Sequence, residues 1–420
     1  MTQTIHIIGA GLAGLSAAVR LSAHGASVVV YEANAQAGGR CRTYHDHGLG
    51  LMIDNGNHLL LSGNHAACSF LREIGTEDRL IGPERPEFPF IDLRSGERWT
   101  LRPNAGRLPW WILDPRRRVP GTKATDYLAL ARCLLPVAPQ QTVGEILKCE
   151  GALYDRLLQP VLLAALNIDP PEGSARLAAA VVRETLAAGG KAYRPLIARD
   201  GLSGAFIDPA IAFIEQHGGA VRLGAELRAL AFDTGRVGAL EFSQERVTLQ
   251  DGDAVILAVP PWAAATLVPD LETPTAFRSI LNAHFKIAPP AGTPPITGVV
   301  NGLVEWLFAF SDRLSVTISS ADRLMALPRE QVAADIWREV SRVSGVAEAL
   351  PPWQIVRERR ATFAASVDED AKRPAARTSW DNLVLAGDWT ATGLPATIEG
   401  AIRSGHKAAE VVQARATKTE

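Results

Sequence analysis

The chain opens on an apolar run, Ile5-His6-Ile7-Ile8, then a glycine-rich hexapeptide, an apolar-rich stretch from Leu12 to His24 and a second β-branched run from Ser27 to Tyr31. Short runs without polar alternation predict parallel strands buried on both faces, and the longer stretch between them predicts the crossover helix. From Phe88 to Leu101 a hairpin is expected, turning at Arg94-Ser95-Gly96-Glu97. Between Thr122 and Ala188 the texture is helical and rich in Leu and Ala, with a capping box at Thr142-Val143-Gly144-Glu145. Short strands follow at Ala220 to Leu223, Leu227 to Phe232, Val237 to Phe242 and Ala254 to Val259, the last ended by Pro260-Pro261. A hairpin about Ser311-Asp312 is expected inside Leu303 to Ser319, a helix from Gln331 to Ser344, a buried strand from Leu383 to Ala386 and a closing helix from Thr397 to about Ala414. The pattern predicts an α/β protein. Its Rossmann-like dinucleotide domain is discontinuous, drawn from residues 1–75, 195–265 and 376–420, with an inserted α+β substrate domain from 76–194 and 266–375.

Composition narrows the class without naming it. At 420 residues the chain suits two domains, and 47% apolar with 21% charged residues is the range of a soluble globular protein. A net charge of -2 gives no basic excess for nucleic-acid phosphates. Cys41, Cys68, Cys133 and Cys149 form no CxxC and no metal-ligand spacing, so reduced thiols of a cytosolic protein, and no metal, are expected. The first strand begins without a basic region or cleavage site, and no run of eighteen apolar residues occurs, which predicts a chain neither exported by an N-terminal signal nor integral to a membrane.

Gly9-Ala10-Gly11-Leu12-Ala13-Gly14 fits G-x-G-x-x-G between a strand and a helix. Gly9 is expected to permit the tight turn, Gly11 to let a pyrophosphate approach the backbone, and Gly14 to let helix and strand pack closely. The helix start at Leu12 and Ala13 offers free N–H groups to phosphate. Glu32, ending the second strand, is placed to bond ribose hydroxyls and disfavours a 2′-phosphate. FAD is favoured over NAD by Gly38-Gly39-Arg40, a loop whose amides and guanidinium can reach back to the pyrophosphate. Near the other end, Gly387-Asp388 repeats the logic of strand, glycine and acid, with Asp388 suited to a ribityl hydroxyl. The helix opening at Thr397-Ile398 can face the flavin pyrimidine, where reduction deposits negative charge.

These segments resemble the flavin amine oxidase and carotenoid-desaturase superfamily over nearly the whole chain. The resemblance implies an FAD-binding fold of flavin amine oxidase type, adenine contact from the backbone around Leu227, and an Ile398 amide lying against the flavin. Within the superfamily the chain is most similar to the hydroxysqualene dehydroxylase family, through Asp54-Asn55-Gly56-Asn57-His58, Leu163-Ala164-Ala165-Leu166-Asn167, Arg357-Glu358-Arg359-Arg360-Ala361-Thr362-Phe363 and the run Gly387 to Gly405. Members more often carry Gln at the position of Asn57. That resemblance implies reductive removal of an allylic hydroxyl from a long C30 isoprenoid alcohol, giving squalene and water. Squalene-pathway synthases become expected neighbours, and the inner face of a bacterial inner membrane the expected location. A phytoene-type desaturase, an amine oxidase and a non-catalytic prenyl carrier on the same fold are the rival readings.

Such chemistry needs a hydride donor, an acid for the departing oxygen and a dry pocket. His58 is the leading candidate to protonate or hydrogen-bond that oxygen, with Asp54 and Asn57 orienting it. Asn167 and Trp389 are candidate substrate contacts, although Asn167 equally suits the turn into Ile168-Asp169-Pro170-Pro171. Leu108-Pro109-Trp110-Trp111-Ile112-Leu113, flanked by Arg107 and Arg116-Arg117-Arg118, reads either as peripheral contact with an anionic bilayer or as tryptophan-rich core beside a solvated charge run.

Overall fold

A computed structural model describes residues 3–346 and 349–416. Its nucleotide-type sheet has five parallel strands in the order Ala220–Leu223, Ser27–Glu32, Thr4–Ile8, Ala254–Leu257, Leu383–Leu385. The central strands are apolar throughout because both faces are covered: helices pack over Ile7, Val30 and Ile256, and the three-stranded antiparallel sheet Leu227–Asp233, Arg236–Phe242, Arg246–Thr248 packs over Val255 and Leu257 through Leu230, Val237 and Leu240. The helices Leu12–Ala23 and Ile398–Ala416 cross against each other at Gly405, where a Cβ would be driven into the Ala13 carbonyl and the Ser16 hydroxyl. That close approach joins the first and last helices over one face of the sheet.

The second large sheet has seven strands, ordered Trp353–Phe363, Phe277–Phe285, Leu314–Ile318, Trp306–Ala309, Ile296–Val300, Phe88–Asp92, Arg98–Leu101. Strand alternation splits it into two faces. Leu281, Ala283, Phe285, Leu307, Leu314, Val316 and Ile355 pack under the helix Arg329–Ser344 through Ile336, Trp337 and Val340. On the other face Phe88, Phe90, Ile296, Trp306 and Phe308 meet Tyr154, Leu158, Leu162 and Tyr193 of the helical layer. Gly298 lets the Phe90 ring lie across the sheet, since a Cβ there would collide with that ring.

The hairpin at Arg94 to Glu97, the strand pair around Ser311-Asp312 and the capped helix after Thr142 form as expected; the Thr142 amide donates to Glu145 Oε2 at 2.6 Å. Three features differ. The strand expected to reach Val259 ends at Leu257, because the chain turns there into the helix Pro261–Leu267. The stretch Ala124–Leu134 is a 3₁₀ helix, tighter than the α-helix its Leu and Ala content favours. Phe277–Phe285 and Ile296–Val300 are strands that no turn signal announced. Among the described residues the four cysteines are free, no metal-binding cluster of acidic, His or Cys side chains occurs, and no helix is long and apolar enough to cross a membrane.

Candidate functional site

The first glycine turn has the geometry its spacing demands. Gly9 sits at φ +107, and a Cβ there would lie 2.5 Å from the Ala258 carbonyl oxygen. A Cβ on Gly14 would be driven into the Gly9 carbonyl, so helix and turn touch there. Gly11 is different: a Cβ on it meets nothing within 4 Å. The open space above Gly11 lies at the start of a helix whose Leu12 and Ala13 amides have no preceding turn to bond, a geometry with room and donors for an anion.

Glu32 is buried and closes this turn. Its Oε2 accepts from the Ala10 amide at 2.9 Å, and its Oε1 accepts from the Asn34 amide at 2.9 Å and the Asn34 side chain at 2.6 Å. Each oxygen of a carboxylate takes about two hydrogen bonds, so Oε2 keeps capacity for a ribose hydroxyl. Ala225 donates its amide to the Glu32 carbonyl at 2.8 Å, which brings the backbone leading into Leu227 beside this turn.

The second glycine turn folds back on the first. Gly38 (φ +106) donates its amide to the Ala10 carbonyl at 2.8 Å, and a Cβ on Gly39 would lie 3.8 Å from the Gly11 Cα. The Gly38 amide is therefore already bonded and does not reach a diphosphate, contrary to expectation. The Arg40 guanidinium also points elsewhere: Nη2 donates to both Asp388 oxygens, at 2.7 and 2.8 Å, and Nη1 to the Ala361 carbonyl at 2.6 Å. The reason is electrostatic, since Asp388 is buried and Arg40 is the cation bonded to its carboxylate. Even with these bonds made, 46% of the Arg40 side chain is accessible. The bond joins turns nearly 350 residues apart (|i−j| = 348) and makes them one site.

Gly387, at φ +147, donates to Ser404 Oγ at 2.8 Å, and its missing side chain leaves room for the Trp389 indole. Trp389 is only 2% exposed and donates its Nε1 hydrogen to the Val259 carbonyl at 3.0 Å. That is a correction: Trp389 supports the acid's loop and has no face for a substrate. Thr397 caps the last helix, its Oγ1 accepting from the Gly400 amide at 3.0 Å, and Ile398 begins the helix with its side chain in the core. A residue that spacing did not reveal, Arg373, is 1% exposed at its side chain and donates to the backbone carbonyls of Asp388 and Thr390, to Thr392 Oγ1 and to Asp370. It fixes the backbone that carries Asp388. Its only sequence signal was an arginine before Pro374, which is weak.

Of the catalytic candidates, His58 is best placed. Its Nδ1 lies 2.8 Å from the Gly56 carbonyl, and since a carbonyl only accepts, Nδ1 carries the hydrogen and Nε2 the lone pair. Burial lowers its pKa below 6.5, with the Gly56 carbonyl and Asp54 opposing and the Arg40 charge adding to the effect. His58 is therefore a neutral acceptor in this state. Asn57 donates its amide to Asn282 Oδ1 at 3.2 Å and its Nδ2 to the Val316 carbonyl at 3.2 Å, while its Oδ1 is buried without a partner. Asp54 is consumed by the fold: its Oδ1 accepts from Thr43 Oγ1 at 2.5 Å and from the Leu202 amide at 2.9 Å. Asn167 is likewise structural. It is 1% exposed at φ 52, ends the helix Gln159–Leu166, donates to Thr362 Oγ1 at 2.9 Å and accepts from the Ser320 amide at 2.6 Å. Both Asp54 and Asn167 are buried, at 3% and 1% exposure. Asn282 was missed, although Asn282 and His284 alternate with Leu281, Ala283 and Phe285 and so mark a strand with one polar face.

The sheet face beyond His58 is graded. Asn282 pairs across to Thr317, Thr317 to Trp306, and Ser315 to Phe308, so polar side chains give way to aromatic ones toward Phe90 and Phe88. Cys41, beside Arg40, is pushed up to about 12 by burial and is no nucleophile.

Two glycine turns, the buried acid Glu32 and a second buried acid bridged by Arg40 come together here, an arrangement that fits an extended dinucleotide. The chain belongs to the family of flavin-containing amine oxidoreductases, whose model matches residues 12–413, and FAD is its cofactor. Its backbone superposes on a putrescine oxidase (TM-score 0.71, 18% identity, 99% of this chain and 100% of that one) and on cyclohexylamine oxidase from Brevibacterium oxydans (TM-score 0.69, 19% identity, 100% of both), likenesses of fold alone. In sequence it is 60% identical to the hydroxysqualene dehydroxylase of Rhodopseudomonas palustris (99% of both chains). It is 56% identical to that of Sinorhizobium fredii (98% of both) and 49% to that of Zymomonas mobilis (97% of this chain, 98% of that one), and it belongs with these dehydroxylases.

Proposed function

We propose that this protein converts hydroxysqualene to squalene and water as an FAD-dependent oxidoreductase. The observation that carries this is full-length similarity at 49–60% identity to three hydroxysqualene dehydroxylases. A 15-cis-phytoene desaturase from Synechococcus elongatus is 23% identical over 98% of the chain, so the desaturase reading is less favoured. The intact Gly387-Asp388 turn, bridged by Arg40 to the first glycine loops, supports a flavin site and likewise counts against a flavin-free prenyl carrier.

Reduced FAD, when bound, supplies a hydride. Gly11 with Leu12, Ala13 and Gly14 would hold its diphosphate, Glu32 its ribose, the Leu227 backbone its adenine, Asp388 its ribityl chain, and Thr397 with Ile398 its pyrimidine edge. Gly38 and Gly39 brace the diphosphate turn, and Arg40 orients Asp388. In the net reaction the allylic C–O bond breaks, a C–H bond forms, and the departing oxygen takes a proton to become water. The aromatic part of the sheet face, Phe88, Phe90, Trp306 and Phe308, would take the hydrocarbon, with the hydroxyl at the polar end. There His58 Nε2 would accept a hydrogen bond from the substrate hydroxyl and fix its direction, and Asn57 would hold the segment that carries His58. The imidazole becomes a proton donor only after it is itself protonated. The reading extends to peripheral contact at the inner face of the bacterial inner membrane, where hydrocarbons dissolve and where squalene-pathway synthases would be neighbours.

The test sets substrates side by side. Purified holoenzyme receives hydroxysqualene with its flavin reduced and oxygen excluded, and receives phytoene or a primary amine with its flavin oxidised, and products are identified by mass. Squalene from hydroxysqualene alone is the expected result. Desaturated phytoene or an aldehyde from the amine, with no squalene, would reject the assignment.

A further inference from the structure

The 3₁₀ helix Ala124–Leu134 has three residues per turn, so positions three apart share a stripe. One stripe, Tyr127, Leu130 and Cys133, faces inward, with Tyr127 and Cys133 buried. The stripe one residue on, Leu128, Ala131 and Leu134, is exposed, at 69% for Leu128 and 52% for Leu134. This element buries one apolar stripe and shows a second to water, beside the exposed Asp126 and Arg132. A surface helix normally carries polar residues there.

The neighbouring turn Trp110–Leu113 repeats the arrangement. Trp111 is buried edge-on against Tyr127, with ring centroids 5.2 Å apart, while Trp110 (64%), Leu113 (61%) and Leu108 (65%) are exposed. Six of the ten large apolar side chains that stand exposed among the described residues lie in this one stretch, Leu108, Trp110, Leu113, Leu128, Leu134 and Leu135. The backbone that carries Leu108, Trp110 and Leu113 is tied by side-chain hydrogen bonds. Asn104 bonds the Leu108 carbonyl and the Trp111 amide at 2.9 and 3.2 Å, and Arg118 bridges the carbonyls of Ile112 and Thr122 at 3.0 and 2.9 Å. A concentration of exposed apolar side chains of this kind marks an interaction site.

The charges around it choose the partner. Arg107, Arg116, Lys123 and Arg132 are exposed in the same stretch, against Asp114 and Asp126, in a chain whose net charge is -2. Exposed Trp and Leu ringed by Arg and Lys match the interface of an anionic bilayer, where rings and aliphatic chains enter the acyl boundary and cations meet phosphate. On the inner side, Trp111 and Tyr127 belong to the same packed core as Phe88, Tyr193 and Trp306, the aromatic face assigned above to the hydrocarbon.

We infer that this cap, the Trp110 turn together with the outer stripe of the 124–134 helix, is a docking surface for anionic lipid bilayers. It rests on the proposed hydrocarbon substrate only for its purpose, and its residues differ from those of the sequence expectation: Trp110 serves, while Trp111 is core.

The test is flotation of the FAD-loaded protein with vesicles of pure phosphatidylcholine and of phosphatidylcholine with phosphatidylglycerol. Binding to the anionic vesicles, falling with salt, is expected. Arg107→Gln and Lys123→Gln should each weaken it about fivefold. The triple variant Trp110→Ser/Leu128→Ser/Leu134→Ser should not float at all, yet should turn over detergent-dispersed hydroxysqualene at the parent rate. Equal binding to neutral vesicles, no binding by the parent, or unchanged flotation of the triple variant would overturn the inference. So would a parent dimer in solution that the triple variant abolishes, which would assign the surface to a second copy. A parent that floats but yields no squalene leaves the surface standing and rejects the substrate.

Discussion

Arg373 offers the sharpest structural prediction. Its guanidinium donates to the Asp388 carbonyl at 3.0 Å, the Thr390 carbonyl at 2.6 Å and Thr392 Oγ1 at 2.8 Å, and it pairs with Asp370 at 2.9 Å. Replacing it by Met keeps the bulk and removes every one of these bonds. Breaking a buried ion pair from one side costs about 3–5 kcal/mol. Asp370 retains Arg176 at 2.7 Å and Ser174 at 3.3 Å, so the lower end, about 3 kcal/mol, is the reasonable figure. Spread over 420 residues at ~2 cal/mol/K each, that is a fall in Tm of roughly 3–4 °C. Arg373→Lys restores the charge against Asp370 but lacks the planar fork needed for several carbonyls at once. It should recover most of the stability while FAD still binds more weakly, because the Asp388 backbone stays loose. The assay is recovery of flavin fluorescence on dilution, run beside thermal melts of the apoprotein. If both variants lose stability and keep parental FAD affinity, Arg373 is merely structural and the positioning argument is wrong.

Gly11→Ala should melt like the parent without FAD but bind FAD more than tenfold more weakly, whereas Gly14→Ala should already be destabilised without cofactor; equal effects in apoprotein melts would contradict Gly11 as the seat of the diphosphate. For His58, whose pKa is held below 6.5 by burial, the neutral acceptor dominates above pH 6.5, so turnover should be flat there and fall as pH drops through the folded pKa. A rise in turnover on acidification that His58→Gln abolishes would make it the proton donor instead. Glu305, pushed up from 4.5 to about 7 by burial with the Ser319 amide and Arg323 opposing, stays protonated in the fold where the unfolded chain has ionised. Its contribution is therefore present below pH 4.5 and lost as pH rises to 7, a decline of about 1.4 kcal/mol per pH unit. Glu305→Gln should remove that slope in denaturant midpoints taken from pH 5 to 8, and an unchanged slope would refute it.

The dinucleotide half was legible because its chemistry is written in local sequence. Backbone approach to a phosphate demands glycine at fixed offsets, and buried parallel strands demand unbroken Val and Ile. Arg40 shows where locality ends. Its place in a glycine loop indicated the right neighbourhood, but its partner is 348 positions away, and only the fold reveals that the guanidinium bridges to Asp388. Asp54 and Asn167 failed as functional residues for the same reason, since a polar residue in a distinctive motif serves a buried hydrogen-bond network as readily as a ligand. The seven-stranded sheet was the least legible part. Phe277–Phe285 pairs with Trp353–Phe363 across some seventy residues, and no turn chemistry marks such a pairing. In the Trp110-Trp111 pair, which ring is core depends on Tyr127, a long-range contact that composition does not carry.

The most direct measurement is a single turnover. Holoenzyme reduced to completion without oxygen is mixed with one equivalent of hydroxysqualene, and flavin absorbance and squalene are followed in the same sample. The account predicts that the yellow band returns at the rate squalene appears, one molecule for each flavin reoxidised. Flavin that stays bleached while hydroxysqualene persists, or squalene formed by oxidised holoenzyme, would contradict it.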